Sequence, residues 1–308
     1  MNIVVIGAGA VGGYFGGKLA EAGVPVTFLV RKKRKQQLEA EGLRIQSVHG
    51  NFTIQPQCVL SADEVENPDL VIIAVKNYQL DGAMKDLETF VRRGAKILPL
   101  MNGVQHIERL VSSFGSEKIL GGLCYVESTL NELGDIIQKS MMQDIVFGSL
   151  SSATDASFLQ EVEATFKTSG VNVKLTSEIL TEIWTKYIFL VTLSGITTAT
   201  RNPIGLALND PAALAFLTDL VEELTNLART LEIKLSKDFS NQMINKIKKS
   251  NPEMTSSMHR DLQKGLPLEL ESLQGAILKM ADEKKVATPC TRAIYALLHP
   301  FTQGSMTH

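Results

Sequence analysis

The stretch VVIGAGAVGGYFGG, residues 4–17, sets six glycines directly behind a short apolar run. Glycine weakens helix and strand interiors by roughly 0.5–1 kcal/mol relative to alanine, so its density where a first strand hands over to a first helix requires a reason. Gly7, Gly9 and Gly12 fall in the spacing G-x-G-x-x-G, after a strand and at the opening of a helix. In that context each has a separate task. Gly7 permits a tight turn, Gly9 lets a pyrophosphate approach the backbone without meeting a Cβ, and Gly12 lets the helix lie close on the sheet. The N–H groups at the helix N-terminus then face the anion. Gly13, Gly16 and Gly17 extend the close-packed face, and Ala10 and Ala20 keep the helix slender. A plainer reading, a structural glycine turn opening an α/β domain, stands beside this one.

The next strand, Val26 to Val30, ends in Arg31-Lys32-Lys33-Arg34. Dinucleotide folds that prefer NAD carry an acidic residue there, which bonds the adenosine ribose. This chain has none. A phosphate adds roughly −1.5 to −2 charge, so the basic cluster favours NADPH over NADH, with Arg31 the first candidate ligand and Lys32 the second. The alternative is a solvated basic start to a helix.

Around this motif the β-branched runs Ile3–Ile6, Val26–Val30, Leu70–Val75 and Lys96–Leu100 alternate with helical patterns such as 79–91. That alternation predicts a parallel sheet covered by helices, a Rossmann-type α/β unit. Residues 119–148 read as strands with turn signals, Asn131 to Asp135 among them, which predicts antiparallel additions to that sheet. A helix over 156–167 and a strand over 171–175 close the unit. From Ser177 the pattern is helical: 177–199, 210–231, 237–249, 270–284 and 288–298. Asp210-Pro211 and Thr288-Pro289 read as N-cap and N1 pairs. We therefore expect residues 1–176 to form an NADPH-binding domain and 177–308 an all-helical substrate and catalytic domain.

The totals agree with two domains: 308 residues, 44% of them hydrophobic. With 31 basic and 33 acidic residues, a net charge of −2 gives no field to gather nucleic acid or coat a membrane. Cys58, Cys124 and Cys290 are scattered and odd in number, which argues against a disulfide scaffold or zinc site and fits a reducing cytoplasm. No basic leader precedes the first apolar run. The longest apolar stretch elsewhere, Tyr187 to Ala199, falls short of the roughly 20 residues that span a bilayer and reads as a buried helix. The five histidines, 49, 106, 259, 299 and 308, share no ligand spacing, and no metal is expected. Whether the apolar helices at 210–231 and 270–284 pair two chains as a homodimer or fill a second core stays open.

Open α/β sheets bind ligands beyond the C-terminal ends of their strands. Two such ends carry polar residues: VIIAVK, finishing at Lys76, and KILPLMNG, finishing at Asn102-Gly103. In the second half, Lys186, Leu190 and Ser194 share one helix face. A partly desolvated lysine there could protonate a developing alkoxide as hydride arrives. It could equally form a surface pair with Glu182, worth a few tenths of a kcal/mol.

The chain resembles the ketopantoate reductase family over essentially its whole length. The residues that carry this are GAGAVG at 7–12, VKNYQ at 75–79, NGV at 102–104, WTK at 184–186, RNPI at 201–204 and SSM at 256–258, followed by Glu269. The resemblance implies NADPH on Gly7, Gly9, Ala10, Val11 and Gly12, with the ketone in a cleft between the domains. It implies Lys186 as general acid, Glu269 as the carboxylate that orients substrate and lysine, Asn102 and Lys76 by the nicotinamide ribose and substrate, and Ser257 on the substrate carboxylate. Ser257 also reads as an N-cap, Glu269 as a first-turn helix charge, and Glu271 competes with Glu269. Family members commonly have asparagines where this chain has Leu190 and Ser194, residues expected to contact the substrate's hydroxyl end. The implied activity is NADPH-dependent reduction of 2-dehydropantoate to pantoate, for pantothenate and coenzyme A synthesis. The departures point to a different small 2-oxo acid as one alternative, and a silent NADPH-binding regulator is another.

Overall fold

In the computed structural model, which describes residues 1–304, β1 (Ile3–Ile6) runs into α1 (Ala10–Glu21) across the glycine turn. There follow β2 (Val26–Leu29), α2 (Lys32–Glu41), β3 (Leu43–Ser47), β4 (Phe52–Ile54), β5 (Gln57–Val59), β6 (Leu70–Ile73), α3 (Leu80–Arg92), β7 (Lys96–Pro99) and α4 (Gln105–Phe114). The long strands β8 (Leu120–Leu130) and β9 (Ile136–Ser149), then α5 (Ala156–Thr168) and β10 (Asn172–Leu175), end the β-containing part. The chain divides into two compact units, 1–101 with 106–179, and 102–105 with residues from 180 onward.

In the first unit the strands lie in the order β5-β2-β1-β6-β7, all parallel. β1 and β6 are buried along their whole length, as uninterrupted β-branched runs require. Their side chains alternate. Ile3, Val5, Leu70 and Ile72 join the core beneath α1, while Val4, Ile6, Val71 and Ile73 pack with Leu80, Leu87 and Phe90 of α3 and Leu110 of α4.

The strands of 119–148 do not extend this sheet, contrary to the sequence expectation. The parallel sheet continues past β7 only as the isolated bridge Ile97–Ile119. β9 instead builds a second sheet, pairing with β8 antiparallel along its length, with β3 through residues 136–138 and with β10 through 144–147. β4 completes the edge beside β3.

The glycines explain why a second sheet fits. On α1, Gly12 and Gly16 form one i, i+4 pair and Gly13 and Gly17 another. A Cβ at Gly16 would stand 2.8 Å from the Phe28 ring and 2.9 Å from Val5, both of the first sheet. One at Gly13 would stand 2.5 Å from Ile136, and one at Gly17 2.5 Å from Ile45, both of the second. The helix is slender on two faces because a sheet lies against each.

The second unit is helical: α6 (Ile179–Thr200), α7 (Ile204–Asn209), α8 (Pro211–Thr230), α9 (Phe239–Lys248), α10 (Ser257–Gln263), α11 (Ala276–Lys284) and α12 (Pro289–Leu298). α6 is long and apolar enough to cross a membrane, yet 61% of its most apolar window is buried. Trp184, Tyr187, Ile188 and Val191 pack there with Leu217, Leu220 and Leu224 of α8 and Ile277 of α11, so these helices fill the core. The expected helix over 270–284 begins as a π turn, Glu271–Gly275, in which the Gly275 N–H donates to the Leu270 carbonyl at 2.9 Å. Asp210 caps α8 as its sequence predicts, accepting from the Ala213 N–H at 2.8 Å. Thr288 does not cap α12 with its side chain. The Glu223 carboxylate does so from α8, accepting from the Cys290 and Thr291 N–H groups at 3.0 and 2.7 Å.

Candidate active site

In the parallel sheet the chain runs from β1 outward to β2 on one side, then returns to β6 on the other. The carboxyl ends of β1 and β6 therefore flank the switch point where such sheets bind ligands. Gly7 turns off β1 with φ +97°, and a Cβ there would sit 2.9 Å from Val75. A Cβ at Gly12 would overlap the Gly7 carbonyl oxygen. Gly9 is different, because nothing lies within 4 Å of where its Cβ would be. The open space lies beside the N-terminus of α1, whose first turn has no acidic residue. That combination suits a pyrophosphate.

The carbonyls on either side of Gly9 are tied to protein donors. Ala8 O accepts from Arg34 Nε at 3.2 Å, and Ala10 O accepts from the Ser128 hydroxyl at 2.9 Å. Neither residue stood out in the sequence. Arg34 is one of five successive cations, and Ser128 is a single hydroxyl on a strand. Arg31 and Lys32 are exposed where the chain leaves β2 for α2, with Arg31 at the N-cap. Lys76, half-buried, precedes a single 3-10 turn beyond β6, and its N–H donates to the Gln79 side chain at 3.3 Å.

In the helical unit, Lys186 Nζ donates to Asn102 Oδ1 at 3.3 Å across 84 residues of sequence. Asn102 belongs to the short segment 102–105 that clusters with this unit, where Val104 packs against the helical core. A neutral amide oxygen orients the ammonium without neutralising it. Leu190 and Ser194 follow Lys186 along α6, the first half-buried and the second 2% exposed. Ser194 Oγ accepts from Gln274 Nε2 at 3.2 Å, and that nitrogen also donates to the Val191 carbonyl at 3.1 Å.

Ser257 and Glu269 differ from their neighbours Ser256 and Glu271 in their surroundings. Ser256 is the cap of α10, accepting from the His259 N–H at 3.0 Å, which leaves Ser257 as the first residue of the helix. Glu269 is buried, 4% exposed, just ahead of the π turn. Glu271 stands at the surface, 59% exposed, where it accepts from the Tyr295 hydroxyl at 2.8 Å. The buried phenol of Tyr187, its pKa raised by desolvation, donates to the Leu273 carbonyl at 2.7 Å and fixes that turn against α6.

Three of the histidines take structural places. His259 Nδ1 bonds the Thr197 carbonyl at 2.7 Å, His49 the Met141 carbonyl at 3.2 Å, and His299 packs against Tyr295. His308 lies outside the described residues. Among the described residues no His, Cys, Asp and Glu cluster could hold a metal ion.

The first unit sets a glycine-floored turn at the head of a parallel sheet, and the helical unit presents a lysine held by an amide. The chain belongs to the ketopantoate reductase PanE/ApbA family, whose model matches residues 3–152, with its C-terminal model matching residues 178–302. It is 35% identical to the uncharacterized oxidoreductase YkpB of Bacillus subtilis, over 98% of this chain and 99% of that one. A PanE/ApbA family ketopantoate reductase from Ralstonia eutropha has the same fold, with 26% identity, a TM-score of 0.88 and 98% coverage of both chains. A D-mandelate dehydrogenase solved with NADH and anilino(oxo)acetate shares the fold alone, with 22% identity, a TM-score of 0.86 and 98% coverage of both chains.

Proposed function

We propose that the chain is a cytoplasmic enzyme that reduces ketopantoate (2-dehydropantoate) to pantoate with NADPH, a step toward pantothenate and coenzyme A. The observation that carries this is the Lys186 ammonium held at 3.3 Å by Asn102. When bound, NADPH supplies the hydride. Lys186 donates a proton to the substrate's carbonyl oxygen as that oxygen gains alkoxide character. Asn102 fixes the direction of the ammonium, and buried Glu269 orients lysine and substrate. Ser257 grips the substrate carboxylate. Gly7, Gly9, Ala10, Val11 and Gly12 hold the pyrophosphate, Arg31 and Lys32 the 2′-phosphate, and Lys76 the ribose side of the cofactor.

Leu190 supports a second reading, reduction of a different small 2-oxo acid. Leucine offers no hydrogen bond, and a substrate hydroxyl left unpaired in a closed site costs roughly 1–3 kcal/mol, tens- to hundreds-fold in substrate choice. A panel of 2-oxo acids followed by NADPH absorbance separates the two. Ketopantoate should give the highest kcat/KM. Another acid turned over far faster selects the second reading, and NADPH binding without turnover of any ketone selects a silent regulator.

A further inference from the structure

We propose that Arg34 is a positioning residue for the cofactor loop, one that sets dinucleotide affinity irrespective of the 2′-phosphate. This rests on the reading of the glycine turn as the dinucleotide cradle. Arg34 leaves the first turn of α2 and joins three pieces of chain. Its Nε donates to Ala8 O at 3.2 Å, between Gly7 and Gly9. Its Nη1 donates to Gly134 O at 3.0 Å, in the turn between β8 and β9, and to Gln37 Oε1 at 2.8 Å. Gln37 in turn donates to Leu133 O at 2.5 Å, so the same turn is held twice. The glycine loop is thereby fastened to α2 and to the second sheet, through groups separated by 26 and 100 residues.

The remaining nitrogen points to a role other than stability. Arg34 Nη2 is buried with no hydrogen-bond partner. Leaving part of a cation desolvated and unpaired opposes folding, so a residue selected for stability alone would not be arginine here. Burial also draws the guanidinium below its ordinary pKa, with Cys58, Asp135 and Glu41 opposing that shift. What the fork achieves is geometric. A planar guanidinium can hold two carbonyls in a fixed relation, which a flexible ammonium cannot. With Ala8 O turned toward Arg34 and Ala10 O toward Ser128, the peptide units around Gly9 are fixed before a ligand arrives. Preorganisation of this kind raises affinity by lowering the cost of ordering the loop.

Arg31 and Arg34 therefore differ in what they read. Arg31 is exposed, so its loss should weaken NADPH and spare NADH. Loss of Arg34 should weaken both alike. The test is isothermal titration of the intact protein with NADPH and with NADH, for the unmodified chain, Arg34→Ala and Gln37→Ala. In Arg34→Ala both dissociation constants should rise about tenfold or more, with their ratio changed less than twofold. Hydrogen exchange at residues 7–12 of the ligand-free protein should quicken severalfold. Gln37→Ala, which removes only a brace, should shift both quantities the same way by less and serves if Arg34→Ala does not fold. Unchanged affinities, or weakened NADPH beside unchanged NADH, overturn the assignment. Failure of the unmodified chain to bind either dinucleotide overturns the cradle reading, and the assignment falls with it.

Discussion

The two central glycines of the turn should respond to the same substitution in opposite ways. A Cβ at Gly9 meets nothing within 4 Å, and its backbone, at φ −88° and ψ −161°, is one that alanine adopts. Gly9→Ala should fold normally, with a loss of about 0.5 kcal/mol for a poorer N-cap and a melting temperature within about 2 °C of the parent. The new methyl group stands where the pyrophosphate must come. The NADPH dissociation constant should therefore rise about tenfold or more, equivalent to about 1.4 kcal/mol. At Gly12 the added Cβ overlaps Gly7 O and comes within 3.1 Å of Val5 and Ala74, so the helix must lift from the sheet. Overpacking of a tight core costs about 1–3 kcal/mol, and the gain of about 1 kcal/mol in helix propensity offsets only part of it. The melting temperature should fall by about 2–8 °C in a unit of this size. Scanning calorimetry and titration with NADPH measure both quantities. If Gly9→Ala melts lower than Gly12→Ala, or binds NADPH as well as the parent does, the division of labour between these glycines is wrong.

Two further substitutions follow from the structure. Arg31→Ala should raise the NADPH dissociation constant about tenfold while leaving NADH nearly unchanged, read by fluorescence titration; equal affinities of the parent for the two cofactors would remove the 2′-phosphate argument. Glu223→Ala leaves the Cys290 and Thr291 N–H groups without their cap and should cost about 1–2 kcal/mol, seen as an earlier thermal transition. Burial, with Glu223 adding to it, holds the Cys290 thiol up at about 11, so the same variant should react faster with iodoacetamide at pH 8. An unchanged alkylation rate there would count against the carboxylate's part in that shift.

The first sheet was legible because its strands are short β-branched runs buried on both faces, as β1 and β6 are. The second sheet was not, for a physical reason. β3 and β4 are only five and three residues long with exposed positions among them, and β8 and β9 carry polar residues that fit a sheet with one solvated face. The clue lay in the glycines: Gly12 and Gly16 point to one neighbour, Gly13 and Gly17 to another, and only coordinates show that the second neighbour is a sheet. Lys186 and Asn102 stand out singly, one on a helix face and one at a strand end, but only the resemblance brings them to one site, since nothing in a gap of 84 residues announces a 3.3 Å contact. The basic run after β2 is legible as a unit, with Arg31 and Lys32 ranked first in it, but nothing in the sequence sets Arg34 apart. Arg31 and Arg34 have similar chemistry and differ only in burial, which depends on Gly134, a residue 100 positions away.

The most direct measurement is the turnover of Lys186→Ala with ketopantoate, alongside its NADPH dissociation constant. Proton donation by this lysine predicts that kcat falls by about 10²-fold or more while cofactor affinity stays within about threefold of the parent. Turnover close to the parent's would contradict it and remove Lys186 from the chemistry.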